Sequence, residues 1–212
     1  MRSFLVTAGL FAGVGATVRT LTEFEDAIAR VSATTSASGS DLRAYSKLAR
    51  DIGATTEFTA GQVANAEVQL AQAGLTLRES IAALPAVTDF ATASALSLGQ
   101  AADITTKILA AYRLEASDAS RVTDVIVTAA NNATTSQAEL ARALVVSIPA
   151  AKGLGVEFEE LVAVQAELAR VGLRAEKGGR ALDAVIRALT RPTERAERVF
   201  EQFGLTLEQV SV

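Results

Sequence analysis

A short unit recurs along this chain: a glycine, an apolar residue, a helix-starting residue, a second apolar residue and, two positions on, an acid or glutamine. It reads Gly74-Leu-Thr-Leu-Arg-Glu79, then Gly155-Val-Glu-Phe-Glu-Glu160, then Gly204-Leu-Thr-Leu-Glu-Gln209. Glycine adopts the left-handed conformation that ends a helix. A Thr or Ser with Glu or Gln three residues later satisfies the free N–H groups that begin one. Each copy therefore closes one helix and opens the next within two or three residues, which packs consecutive helices against each other. The spacings of 81 and 49 residues fit no fixed period, so a solenoid is not indicated.

The same punctuation fills the intervening sequence. Thr59-Ala-Gly-Gln62 is a capping box with Phe58 and Val63 as its staple, and it predicts a helix to Ala73, stopped at Gly74. Thr76 and Glu79 open the next helix, in which Pro85 predicts a kink or short break. Ser97-Leu-Gly-Gln100, Ser117 and Ser136-Gln-Ala-Glu139 mark three further starts, the last leading to a helix that Pro149 disturbs. A helix from about Phe158 closes at Gly172, and one around 177–189 is stopped by Pro192. Another, about Thr193 to Phe203, ends at Gly204. Thr206 then caps a helix that has only a few residues left, too few to nucleate alone, so the polypeptide is expected to continue beyond residue 212.

Half of the residues are hydrophobic, but aromatics are only 5%, so the apolar content is mostly Ala, Leu and Val. Such residues favour helices and let them approach closely. The absence of cysteine excludes disulfides and thiol chemistry, and the absence of histidine removes the usual general base and transition-metal ligand. The acidic groups Glu23/Glu25/Asp26, Glu157/Glu159/Glu160 and Glu194/Glu197 fall in first turns or on polar faces, where carboxylates suit the helix dipole. Gly178-Gly179 before Arg180 lacks the phosphate-loop pattern and a preceding strand, and Lys177 and Arg180 read as an exposed helical face. Tyr45 and Tyr112 read as core. No nucleophile, base and orienting group come together, and no cofactor or metal is called for. A net charge of −4 with interleaved signs gives no basic stripe for sequence-specific nucleic-acid binding.

Residues 3–18 form an uncharged apolar stretch, somewhat short for the ~20 residues that span a bilayer. Gly9 and Gly13 make a G-x-x-x-G spacing that permits close helix packing. The reading adopted is a helix buried against copies of itself or other protein. The alternative is a membrane-perturbing segment, and a cleaved signal lacks its small-residue site. The expected architecture is all-α, an array of about nine to eleven short helices in a compact or elongated domain. It divides into an apolar N-terminal helix over 1–22, a helical core over 23–205, and the start of a further helix over 206–212.

Six segments in order carry a resemblance. They are Leu70-Ala-Gln-Ala-Gly-Leu-Thr76, Ala101-Ala-Asp-Ile-Thr-Thr106, Val122-Thr-Asp-Val-Ile-Val127, Thr134-Thr-Ser-Gln-Ala-Glu-Leu-Ala141, Pro149-Ala-Ala-Lys-Gly-Leu-Gly155 and Gly172-Leu-Arg-Ala-Glu-Lys-Gly-Gly-Arg-Ala-Leu182. Each alone is a generic helix boundary. The ordered set, spanning roughly Glu23 to Val210, resembles the core region of bacteriophage tail tape-measure proteins. The resemblance implies a non-enzymatic structural protein of the tail interior, whose length sets that of the tube and which leaves when DNA is ejected. The implied partners are copies of itself, three or six per tail, the tail tube, the tail tip or baseplate hub, tail assembly chaperones, and transiently the host membrane. The implied locations are the virion tail and, during assembly, the host cytoplasm.

Length sets one limit. At 1.5 Å per residue, 212 residues span at most ~320 Å as a single helix, and far less as many short ones. The ruler of a long tail is therefore expected outside this segment, unless the tail is very short. An unrelated coiled-coil adaptor would need sustained heptads, which are missing beyond about two turns.

Overall fold

The computed structural model describes residues 21–35, 37–190 and Gln202. Among them there is helix and no strand. The helices are α1 over residues 21–34, α2 Gly39–Thr55, α3 Ala60–Gln72, α4 Leu77–Ser94, α5 Leu98–Tyr112, α6 Ala119–Asn131, α7 Gln137–Gly153, α8 Phe158–Arg170 and α9 Ala175–Thr190. A 3-10 turn, Ala116–Asp118, precedes α6. The all-α expectation holds. The segments over 1–20, the helix after Pro192, Gly204 and Thr206 lie outside the described residues.

Local chemistry places most helix starts. Thr59, Thr76, Ser97 and Ser136 each accept the N–H of the residue three positions on. In return, Gln62, Glu79, Gln100 and Glu139 accept the cap residue's own N–H at 2.7–3.1 Å. The reciprocal pair satisfies two donors that would otherwise end in solvent. α6 departs from expectation: the residue at its cap position is Asp118, and Ser117 lies inside the 3-10 turn, whose start is held by a Glu115 N–H to Asp118 bond of 3.0 Å.

Neither proline breaks its helix. α4 runs unbroken across Pro85 and α7 across Pro149. Both prolines are exposed. An outward-facing ring leaves its unpaired carbonyl on the wet side of the helix, where water replaces the lost bond.

The core is built from one face of each helix, and small residues dominate it. Ala49, Ala64, Ala83, Ala91, Ala101, Ala102 and Ala141 are fully buried beside the larger Phe90, Leu84, Ile108, Ile126, Leu144 and Leu161. Tyr45 and Tyr112 are core residues, as expected. Tyr112 meets Phe158 edge-to-face at 5.6 Å, joining α5 to α8. Among the helices α2 to α9, substantial packing always joins helices no more than three places apart in chain order, with α7 against α9 the most extensive. Among the described residues no single helix is long and apolar enough to cross a membrane. The pair α4 and α5 has the composition, but it bends by 118° and forms the core.

Candidate functional site

The helix junctions hold the residues singled out in the sequence. Gly74, Gly155 and Gly172 have φ of 91°, 77° and 87°. After each, the next residue's N–H reaches back five positions: Leu75 to Leu70 O, Val156 to Ala151 O and Leu173 to Leu168 O, at 2.9–3.1 Å. This is the Schellman arrangement, which ties off the last carbonyls of α3, α7 and α8. Leu75 and Val156 then fold onto the core, so that these two junctions also close an apolar contact.

Two further junctions of the same kind carry no glycine. Ala95 at φ 52° and Arg113 at φ 54° end α4 and α5, with Leu96 N–H on Ala91 O and Leu114 N–H on Leu109 O. The apolar residue and the cap that follow, Leu96-Ser97 and Leu114-Glu115, were the only signal available in the sequence. A left-handed non-glycine residue costs roughly 1 kcal/mol. Ala95→Gly is therefore expected to stabilise the chain by about 0.5–1 kcal/mol, and Gly74→Ala to destabilise it by about 1 kcal/mol. No atom stands within 4 Å of the added Cβ at Gly74, so the effect there is purely conformational. Urea denaturation of the two variants should show opposite shifts.

Two polar groups are buried where periodicity alone suggests only packing. Glu67 in α3 is fully buried and accepts a 3.0 Å hydrogen bond from Ser80 Oγ of α4, while its Oε2 has no partner. Burial pushes its pKa up to about 8, against the weaker opposing effect of the Ser80 bond, so the folded chain holds this side chain mainly as the neutral acid at neutral pH. Tyr45 of α2 donates to Val63 O at 2.9 Å, and burial, reinforced by the neighbouring Glu67 charge, raises its hydroxyl far above the ordinary range. In the other half, Gln165 of α8 donates to Ser147 Oγ of α7 at 3.0 Å.

Gly178 and Gly179 are buried, and their role is close packing. A Cβ on Gly179 would stand 2.5 Å from Ala143 O, and one on Gly178 would stand 2.5 Å from Leu173 O and 3.1 Å from Gln165 Oε1. Gly179 lets α9 lie directly on the α7 backbone, and Gly178 lets it close against the junction that leads out of α8. Lys177 and Arg180 are exposed, as expected, but they are not an isolated face. With Arg142 of α7 and Arg174 they line an open cleft of about 480 Å³. Arg142 lies 35 residues before Lys177 in the chain, so only the α7–α9 contact reveals the grouping.

The remaining acids behave as surface charges. Glu159 pairs with Arg121, linking α8 to α6, and Glu79 has its pKa lowered by the Thr76 N–H and hydroxyl. Among the described residues no three acidic side chains gather as a metal site. The sequence-marked Gly9, Gly13, Gly204 and Thr206 are not among the described residues, so the structure brings together only the marked junctions at Gly74, Thr76, Glu79, Gly155 and Gly172.

No solved structure matches the chain. A tape measure protein of Pneumococcus phage Dp-1 is 28% identical over 201 residues, which is 95% of this chain and 18% of that protein. A protein of Escherichia phage P2 described as a probable tape measure protein is 26% identical over 165 residues, 78% of this chain and 20% of that protein. The chain thus spans about a fifth of the length of these relatives. The sequence pattern of phage-related minor tail proteins matches residues 46–211, and with most of its length so covered, this chain belongs to that family.

Proposed function

We propose that this chain is a folded, non-enzymatic segment of a tail tape-measure protein, acting in tail assembly and length determination from inside the tail tube or at the tip or baseplate hub. The observation that carries this reading is the likeness to the Dp-1 tape measure protein, which takes in 95% of this chain but only 18% of that protein. A segment of that proportion acts as one folded station within a much longer molecule. Its helices are too short and too folded back to measure length themselves, because a helix of 13–18 residues spans only about 20–27 Å. The partners on this reading are copies of the chain, tube and hub subunits, and assembly chaperones before the tail closes. An exchange of surfaces between these partners needs no active site.

Amine cross-linking of intact virions followed by mass spectrometry tests the location. Lys47 and Lys107 are exposed and should report it. Cross-links to tube or tip subunits are expected. Labelling of the same lysines in intact particles by an amine reagent too large to enter the tube would overturn the proposal.

A further inference from the structure

The helices α2 to α9 alternate between two rows. α2, α4, α6 and α8 pack one on the next, and so do α3, α5, α7 and α9, so that each helix rests on the one two places before it. α9 completes its row by covering α7. The other row stops at α8, and there apolar surface is left open. Val164 and Val171 are 42% and 75% exposed, two of the four large apolar side chains that project into solvent among the described residues. With Ala129 of α6 and Ala163, Ala166 and Leu168 of α8 they line a groove of about 650 Å³. Its polar margin is already engaged: Arg170 pairs with Glu167 at 3.4 Å and donates to Asn132 O at 2.6 Å. The groove offers apolar area and no spare charge, which suits an apolar occupant.

The chain that leaves α9 sets out beside the start of α8. Thr190, the last residue of α9, shares a cleft with Gly153 and Leu154, which lead through Gly155 to Phe158 at the head of α8. Residues 191–193, with Pro192 favouring an extended approach, reach about 10 Å, the distance between the axes of two packed helices. Beyond them Ala196, Val199, Phe200 and Phe203 fall at i, i+3, i+4 and i+7, one stripe of a helix. Glu194, Glu197, Arg198 and Glu201 lie off that stripe, and so does Gln202, which is helical and exposed. A helix over 193–203 is about 16 Å long, against about 20 Å for α8. Laid alongside α8 from the same end, it brings Val199 level with Val164 and Phe203 level with Leu168.

We propose that the α6–α8 groove receives the Val199/Phe200/Phe203 stripe of residues 193–203 of the same chain, parallel to α8, as the next member of its row. Two bulky rings meet a floor made largely of alanines, the pairing of large with small that lets helices interlock. The same segment from a second copy is the poorer occupant, because the chain's own is tethered beside the groove at an effective concentration of roughly millimolar. The contact is a property of the chain alone and is independent of the tail role.

The chain has no cysteine, so paired cysteine substitutions report the contact directly. In the full 212-residue chain, Val164→Cys/Val199→Cys should close a disulfide within one molecule under mild oxidation, leaving monomer mass and no free thiol. Val185→Cys/Val199→Cys, whose first position is exposed on α9 outside the groove, should stay reduced under the same conditions. Separately, Phe200→Ala/Phe203→Ala should speed amide exchange across residues 163–171 at least about tenfold and leave α3 and α4 unchanged, because only that end of the row loses its cover. A Val164 pair that stays reduced, a disulfide that forms between molecules instead, preferential closure of the Val185 pair, or unchanged exchange over 163–171 would each overturn the proposal.

Discussion

Glu67→Gln is expected to raise the stability of the folded chain at about pH 9 by roughly 2–4 kcal/mol and to change it little near pH 5. Unfolded, Glu67 loses its proton near the ordinary 4.5; folded, it keeps the proton until about pH 8. Between those values the folded state binds more protons than the unfolded one, so stability falls as pH rises. The contribution is fully present below about 4.5 and is gone once pH has passed about 8. At about 1.36 kcal/mol per pH unit the full interval is worth several kcal/mol, and local relaxation around an ionised carboxylate reduces that. Glutamine keeps the volume and the oxygen that Ser80 Oγ donates to, but carries no charge to strand. Chemical denaturation of both proteins at several pH values checks this. The exposed acids titrate alike in the two, so only Glu67 survives in the difference. Parallel pH profiles would show that Glu67 reaches water when ionised.

Gly179→Ala sets two effects of opposite sign against each other. In an exposed helix, alanine is better than glycine by about 1 kcal/mol. Here the added Cβ falls 2.5 Å from Ala143 O and 2.8 Å from Val146 Cβ, one of them backbone, so α9 has to lift away from α7. Overpacking of that kind costs typically 1–3 kcal/mol, and more where backbone cannot give. Steric exclusion wins, and we expect a net loss of about 2 kcal/mol, with faster hydrogen exchange through α9 and slower, unchanged exchange in α3 and α4. A more stable Gly179→Ala chain would mean that α9 does not rest on α7 as described. Gly178→Ala should behave similarly, since its Cβ meets Leu173 O and comes within 3.1 Å of Gln165 Oε1.

These two sites also show where reading the sequence stops. Thr59, Thr76, Ser97 and Ser136 were legible because a capping box is closed within four residues, and nothing distant competes with it. Gly74, Gly155 and Gly172 were legible for the same reason. Ala95 and Arg113 were not, because the left-handed turn there is forced by the fold on residues that do not prefer it. No break follows Pro85 or Pro149, because proline's cost depends on which side of the helix it faces, and that is a tertiary fact. Gly179 has meaning only with Ala143 opposite, and Gly178 only with Leu173 and Gln165 beside it. Glu67 was not singled out, although positions 63, 67 and 70 fall on one helical stripe. Its partners Tyr45 and Ser80 come from two other helices and had no local sign. The basic cleft was hidden likewise, assembled from α7 and from the junction leading into α9.

The packing of each helix only on near neighbours in the chain has a mechanical consequence. Among α2 to α9, no substantial contact ties a helix to one more than three places away in the chain. Tension applied at one end would then meet the helices in turn, and each could be peeled from the stack before the next is loaded.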